Sequence, residues 1–312
     1  MASLRRPVAV LVAIGALALA AAGCGGGAGG TGVVAQPISV KELSESVQRS
    51  ADATSGRFTF AMEMAMPGFS ETLAFTGDGA FDTKVGKTSM TLDMSAFATL
   101  MKKMAGAFGG DTGDLDLDPE AWKIEAVMDG LVMYMRFPFL SSELPDGKEW
   151  VKIDLREAAR QIPGLDLDQL MQFANNGPQS SLEYLKAVAG EIKPVGVEEV
   201  RGEQATHYVT TIDLLKYKNL VPAGTTREAL GSMFEELVKQ TGLQKIPVDV
   251  WVGHDNLVRR MEMAFSIAQP GSTERLDASM TFEMFDYGKP VAIILPLEAE
   301  TASITDLKAL GS

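Results

Sequence analysis

Between residues 58 and 66 the chain places Phe58, Phe60, Met62, Met64 and Met66 at every second position, with Thr59, Ala61, Glu63 and Ala65 between them. Extended backbone throws successive side chains to opposite faces, so this spacing predicts a strand with one apolar face and excludes a helix. The same rhythm returns in Leu73, Phe75, Gly77, Gly79 and Phe81, and in Met90, Leu92 and Met94. Residues 122–128 and 131–137 flank Asp129-Gly130, a strong hairpin signal. Further strands are predicted at 150–155, 195–200, 205–212, 247–252, 257–267 and 276–285, with an edge strand at 291–295 between Pro290 and Pro296.

Helical spacing interrupts the strands. Residues 39–53 open with Ser39 and carry Glu42 three positions later, the pattern of a capping box, and Val40, Leu43 and Val47 share a face. Residues 96–108 and the short pieces 156–162, 167–174 and 182–188 are also helical in pattern. In 226–240 the apolar residues Leu230, Met233, Phe234, Leu237 and Val238 recur at helical spacing, and Gly242 lies beyond the end. Strands joined mostly as hairpins, with helices gathered in the middle, make an α+β chain dominated by antiparallel sheet.

The N-terminus has the three parts of an export signal: Arg5 and Arg6, an apolar run from Val8 to Ala22, and small residues leading into Cys24. The apolar run is shorter than the roughly 20 residues a membrane-spanning helix needs. Ala21-Ala22-Gly23-Cys24 is similar to the lipobox of bacterial lipoproteins, with Ala21 where Leu is usual. That resemblance makes Cys24 the lipidation site and the mature N-terminus; the alternative is an ordinary secretory signal with an incidental cysteine. The expected organisation is a signal peptide over 1–23, a Gly-rich tether over 24–37, a single domain over 38–296 and a C-terminal tail over 297–312.

Loss of the signal takes the formal charge from −13 to −15, because Arg5 and Arg6 leave and no acid does. A chain this acidic lacks the basic face that nucleic-acid binding requires. Its folded part is not attracted to anionic headgroups either, which leaves acyl chains on Cys24 as the membrane contact. With one cysteine there is no intrachain disulfide, so a packed core must supply the stability.

Catalytic patterns are absent from the sequence. His207 stands in a strand beside Tyr208, His254 lies in a turn with Asp255 and Asn256, and neither accompanies a Gly-x-Ser-x-Gly elbow. The acids of 111–118 lack calcium-loop spacing, and no phosphate loop, dinucleotide fingerprint or zinc spacing occurs. We therefore expect no enzymatic activity, no metal and no cofactor.

Several stretches together resemble the LppX/LprA/LprF/LprG family of actinobacterial lipoproteins, which is related in fold to the LolA and LolB carriers. They are Leu43 to Val47 leading into Gly56-Arg57-Phe58-Thr59-Phe60, Trp150 to Asp154, Gly196 to Tyr208, Pro247 to Arg260, and Phe285 to Val291. The resemblance implies a LolA-like fold: a strongly curved antiparallel sheet, an incomplete barrel, with helices covering its concave face and an apolar cavity for acyl chains between them. It also implies a protein on the extracytoplasmic face of the cell membrane, with lipid or glycolipid acyl chains as ligand and an envelope transporter as a candidate partner. Residues 96–119 and 213–245 are expanded relative to a compact member.

The candidate cavity lining is the apolar parity of the strands: Phe58, Phe60, Met62, Met64, Leu73, Phe75, Met90, Leu92, Met128, Met133, Met261, Met263, Phe265, Met280 and Phe282. Any one of these serves equally as an ordinary core residue. As a set, in a chain with 17 Met, they point to an apolar interior suited to variable partners. Two functions follow: a lipoprotein that carries or holds lipid, or one with a filled core that acts through a protein partner.

Overall fold

The computed structural model describes residues 38–65, 72–108, 117–160, 191–217, 225–268 and 275–303. The signal peptide, Cys24, the tether, the Pro67-Gly68 turn, the acidic loop up to Asp116, and the helices expected at 167–174 and 182–188 lie outside these residues.

Twelve strands form one open sheet. In chain order they are β1 (Ser55–Ala65), β2 (Thr72–Asp82), β3 (Lys87–Asp93), β4 (Lys123–Asp129), β5 (Val132–Arg136), β6 (Trp150–Asp154), β7 (Lys193–Val200), β8 (Glu203–Asp213), β9 (Lys245–Gly253), β10 (Val258–Ala268), β11 (Arg275–Phe285) and β12 (Thr301–Ser303). Across the sheet the order is β12-β6-β5-β4-β3-β2-β1-β11-β10-β9-β8-β7, antiparallel except where β12 joins β6. The central pairing of β1 with β11 joins the two ends of the domain, Arg57 opposite Phe285 through Ala65 opposite Asp277. The edges β7 and β12 are different strands, so the sheet does not close.

Helix α1 (Val40–Ala51) begins as its sequence predicts. The Ser39 hydroxyl accepts the Glu42 N–H at 3.2 Å, and the Ser39 N–H donates to the Glu42 carboxylate at 2.7 Å. Leu43 and Val47 then face the sheet, where Leu43 joins Phe58, Phe81, Tyr208, Val250, Val258 and Met284 in one core. That core draws side chains from six strands beneath one helix about 10 Å wide, which requires the sheet to curve around α1. The Val258 N–H donates to the buried Ser50 hydroxyl and ties the helix to β10. Helix α2 (Ser95–Phe108) packs on β2, and its Phe97 ring lies tilted against Trp122, which stacks on Phe139. The short helices α3 (Leu155–Ala159) and α4 (Leu214–Tyr217) follow β6 and β8.

Two expectations need correction. The edge strand expected at 291–295 is not formed, and Ile294 is 82% exposed. The chain leaves β11 in mid-sheet and must pass the ends of six strands, β1 to β6, to pair along the outer edge of β6; about 34 Å of sheet separates β11 from β12. After the turn at 286–288, where the Gly288 N–H donates to the Ser55 carbonyl, residues 289–297 join no strand ladder and a 3-10 turn at Glu298–Glu300 leads into β12; Pro290 and Pro296 have no N–H to lend a ladder. The edge strand is β12 instead, within the residues expected to be a tail. The second correction concerns α5 (Thr225–Thr241): of its predicted apolar face Phe234 is buried, whereas Met233 and Leu237 are exposed. Among the described residues no helix is long and apolar enough to cross a membrane.

Candidate functional site: the inner face of the sheet

Directly opposed residues of a ladder project to the same face, so the register sorts every strand residue into one of two sets. Starting from Phe58 on β1, the pairings place all fifteen candidate lining residues on one face, the face that α1 covers. One row reads Leu73, Met64, Ala278 and Phe265; the next reads Phe75, Met62, Met280 and Met263. On the far side of β2 the face continues through Leu92 and Met90 to Met128 and Met133. Four of the fifteen, Phe58, Leu73, Phe75 and Phe282, are buried; the other eleven are half-buried.

The register adds residues that the sequence list omits: Phe81, Ile124, Met135, Met284, and Val248 and Val250 on β9. Phe81, Ile124, Met135 and Met284 share the parity of a candidate on their own strand, so stricter use of period two would have found them; Val248 and Val250 are placed only by the register with β8 and β10. Ten of the chain's 17 Met stand on this face: Met62, Met64, Met90, Met128, Met133, Met135, Met261, Met263, Met280 and Met284.

Charge is sorted as sharply. The acids and bases of the twelve strands stand on the outer face, apart from Glu199 on edge strand β7 and Arg259 at a register shift in β10. Arg259 is buried between Asp255 and Glu203, and this pairing outweighs the desolvation of its guanidinium and holds its pKa above the ordinary value.

Glycine matters at two positions. A Cβ on Gly77 would lie 2.2 Å from the Phe60 ring and 2.5 Å from the Thr91 carbonyl oxygen. A Cβ on Gly79 would lie 2.3 Å from both the Phe58 ring and the Ser89 carbonyl oxygen. The missing side chains let both rings lie on bare backbone, the close approach that two glycines in one strand suggested. Phe58 then stacks on Phe282 at 5.3 Å between ring centroids.

The outer face is a self-satisfied polar network. His207 lies between Glu198 at 2.9 Å and Asp249 at 2.7 Å and stacks on Trp251. Both ring nitrogens are thus occupied by carboxylates. The Trp251 N–H and then His207 hold the Glu198 carboxyl below the usual carboxylate range. Arg260 pairs with Glu283 across the ladder. Arg201, at the tip of the β7–β8 hairpin, reaches the same Glu283 and also Thr59 on β1. No sequence signal marks that contact. His254 is exposed in its turn, as predicted.

Two open grooves lie on this polar side. One of ≈ 890 Å³ is lined by residues including Glu63, Lys245, Ser266, Arg275 and Asp277; the other, of ≈ 560 Å³, includes Thr59, Asp78, Thr91, Lys123 and Glu283. Among the described residues no group of three His, Cys, Asp or Glu is placed to hold a metal ion.

No family model matches the chain. A curated relative, an uncharacterized 31.2 kDa protein of Streptomyces griseus, is 30% identical over 169 residues, covering 53% of this chain and 51% of that protein. The chain thus spans about half the length of the curated relative it matches. Solved structures similar to it include the lipoprotein LppX of Mycobacterium tuberculosis, at a TM-score of 0.44 and 12% identity over 82% of this chain and 97% of that one. LprF of Mycobacterium bovis is similar at a TM-score of 0.38 and 12% identity over 82% of this chain and 96% of that one.

Proposed function

We propose that this protein is a non-enzymatic lipoprotein of the cell envelope that binds lipid acyl chains against the inner face of its sheet. One observation carries the reading: a continuous, methionine-rich face, almost free of charge, whose side chains stay half-buried after the chain has folded. Apolar surface of that extent is unfavourable in water, and in a single chain it marks a binding site. Unbranched methionines suit it to flexible acyl chains of differing shape.

The reading extends to the membrane. Cys24, acylated, anchors the protein on the extracytoplasmic side, and the bound lipid is carried or held there, with an envelope transporter as its counterpart. Replacing Cys24 with Ser moves the protein from the detergent phase to the aqueous phase or leaves an uncleaved precursor; unchanged partitioning sinks the anchor. For the binding itself, native mass spectrometry on the exported Cys24→Ser protein, purified without detergent, is expected to show added masses that disappear on solvent extraction of lipid. A bare polypeptide mass across several preparations overturns the proposal.

A further inference from the structure

Within the apolar face one hydroxyl stands apart. Thr210 on β8 is 9% exposed, yet its Oγ1 has no hydrogen-bond partner among the described residues. Its neighbour on the same face differs: the Tyr208 phenol is hydrogen-bonded to Thr206. Leaving a buried hydroxyl unpaired is unfavourable, and native proteins rarely do so without a reason.

Its position suggests the reason. Thr210 opposes Val248, which opposes Met263, and the same row continues through Met280 and Met62 to Phe75. With neighbouring strands about 4.8 Å apart, the hydroxyl is about 19 Å from Met62 along an unbroken apolar row. A ligand lying along the row would have hydrocarbon on the methionines and one oxygen at Thr210.

Charge then selects the ligand class. No acid or base shares the face in β8, β9, β11 or β1, and in β10 only Arg259 at the register shift, already paired with Asp255 and Glu203, stands apart. Among the described strand residues an ionised carboxylate buried there would meet no unpaired cation, which is strongly unfavourable. A neutral ester carbonyl needs only one donor, and a threonine hydroxyl has one to give. Resting on the reading of this face as a lipid site, we infer that it takes neutral acyl esters in preference to free fatty acids, and that the Thr210 hydroxyl donates to the ester carbonyl.

The test uses two fluorescent probes with the same chain, cis-parinaric acid and its methyl ester, titrated at pH 8 into the Cys24→Ser protein. The wild-type face is expected to bind the ester at least tenfold more tightly than the acid. Thr210→Val, which keeps the shape and removes the hydroxyl, should weaken ester binding about three- to tenfold, the effect of one neutral hydrogen bond. It should leave the acid nearly unaffected, and Thr210→Ser should restore the ester. The ligand-free melting midpoint of Thr210→Val should be equal to wild type or higher, because an unpaired polar group has gone; a clear fall would mean the hydroxyl has a protein partner and would overturn the inference. Equal ester affinity in wild type and Thr210→Val, or tighter binding of the acid, also overturns it while the lipid-binding function stands. Failure of the wild type to bind either probe removes the function and the inference together.

Discussion

A sheet face that holds ligand should respond to truncation differently from a filled core, and both behaviours are expected within this one face. Phe58 is 3% exposed, lies on the bare backbone of Gly79 and stacks on Phe282. Cutting it to Ala leaves a void that rigid backbone and a neighbouring ring cannot fill, so Phe58→Ala should lose about 3–5 kcal/mol. Domains of this kind are stable by roughly 5–15 kcal/mol, which makes that a large fraction of the whole. Met62 and Met90 share the face but are only half-buried. Full burial of a methionine side chain is worth about 1.5–3 kcal/mol; up to about a third of that is already forgone, and truncation to Ala keeps the Cβ. Met62→Ala and Met90→Ala should therefore lose about 1 kcal/mol each. Urea unfolding followed by tryptophan fluorescence and far-UV dichroism reads the difference, provided the slope with denaturant stays constant. Losses of 2–5 kcal/mol at both methionines would show a filled interior and refute the argument for a ligand-holding face.

Filling the space tests the same point in the opposite direction. Met62→Trp and Met263→Trp should abolish binding of a fluorescent fatty acyl probe with an unchanged melting midpoint, whereas a packed interior would lose about 1–3 kcal/mol through overpacking. Gly79→Ala should destabilise by about 1–3 kcal/mol in thermal unfolding, because its Cβ meets a carbonyl oxygen at 2.3 Å. Gly106→Ala in α2, with open space around it, should stabilise by up to about 1 kcal/mol, and the reverse order would discredit the packing of β2. Glu198 has a lowered folded-state pKa through the Trp251 N–H first and His207 second, so its contribution is present above the ordinary carboxylate pKa and is lost as pH falls below it. Melting midpoints of wild type and Glu198→Gln should therefore converge as pH drops below about 4.5; a constant gap down to pH 3 contradicts the assignment.

Local pattern revealed the strands and not their arrangement. Alternation in 58–66, 73–81 and 276–285 located β1, β2 and β11 to within a few residues, because Met and Phe on one parity face Thr, Asp and Glu on the other. The capping box at Ser39 fixed the start of α1 for the same reason: both partners are three residues apart. What escaped depends on distant contacts. The three residues of β12 are too few to carry a period, and they pair with β6 roughly 150 positions away. Residues 291–295 look like a strand in composition and behave as a bridge, because the topology makes them cross the sheet's end. The exposed Met233 and Leu237 show the same limit, since spacing defines a helix face but not whether anything covers it. The candidate lining was legible as a parity set. Its union into one surface required the register, as did the isolation of Thr210 within it.

The two faces reach equilibrium with water in different ways. On the outer face many charges pair across the ladder or at a hairpin tip, as in Arg260 and Arg201 with Glu283, Arg136 with Glu125 and Glu149, and His207 with Glu198 and Asp249. Exposed pairs of this kind are worth about 0–1 kcal/mol each, so their effect is to make that face soluble without a cover and not to hold the sheet together. The inner face has no such recourse. Helix α1 seals the end near Leu43, where Phe58, Phe282 and Met284 are closely packed, and the methionines of β4 and β5 remain half-buried beyond it. Close packing is thus concentrated at the α1 end of the sheet, so under the proposed function the methionine-rich remainder would exchange protein contacts for ligand contacts without unfolding that core.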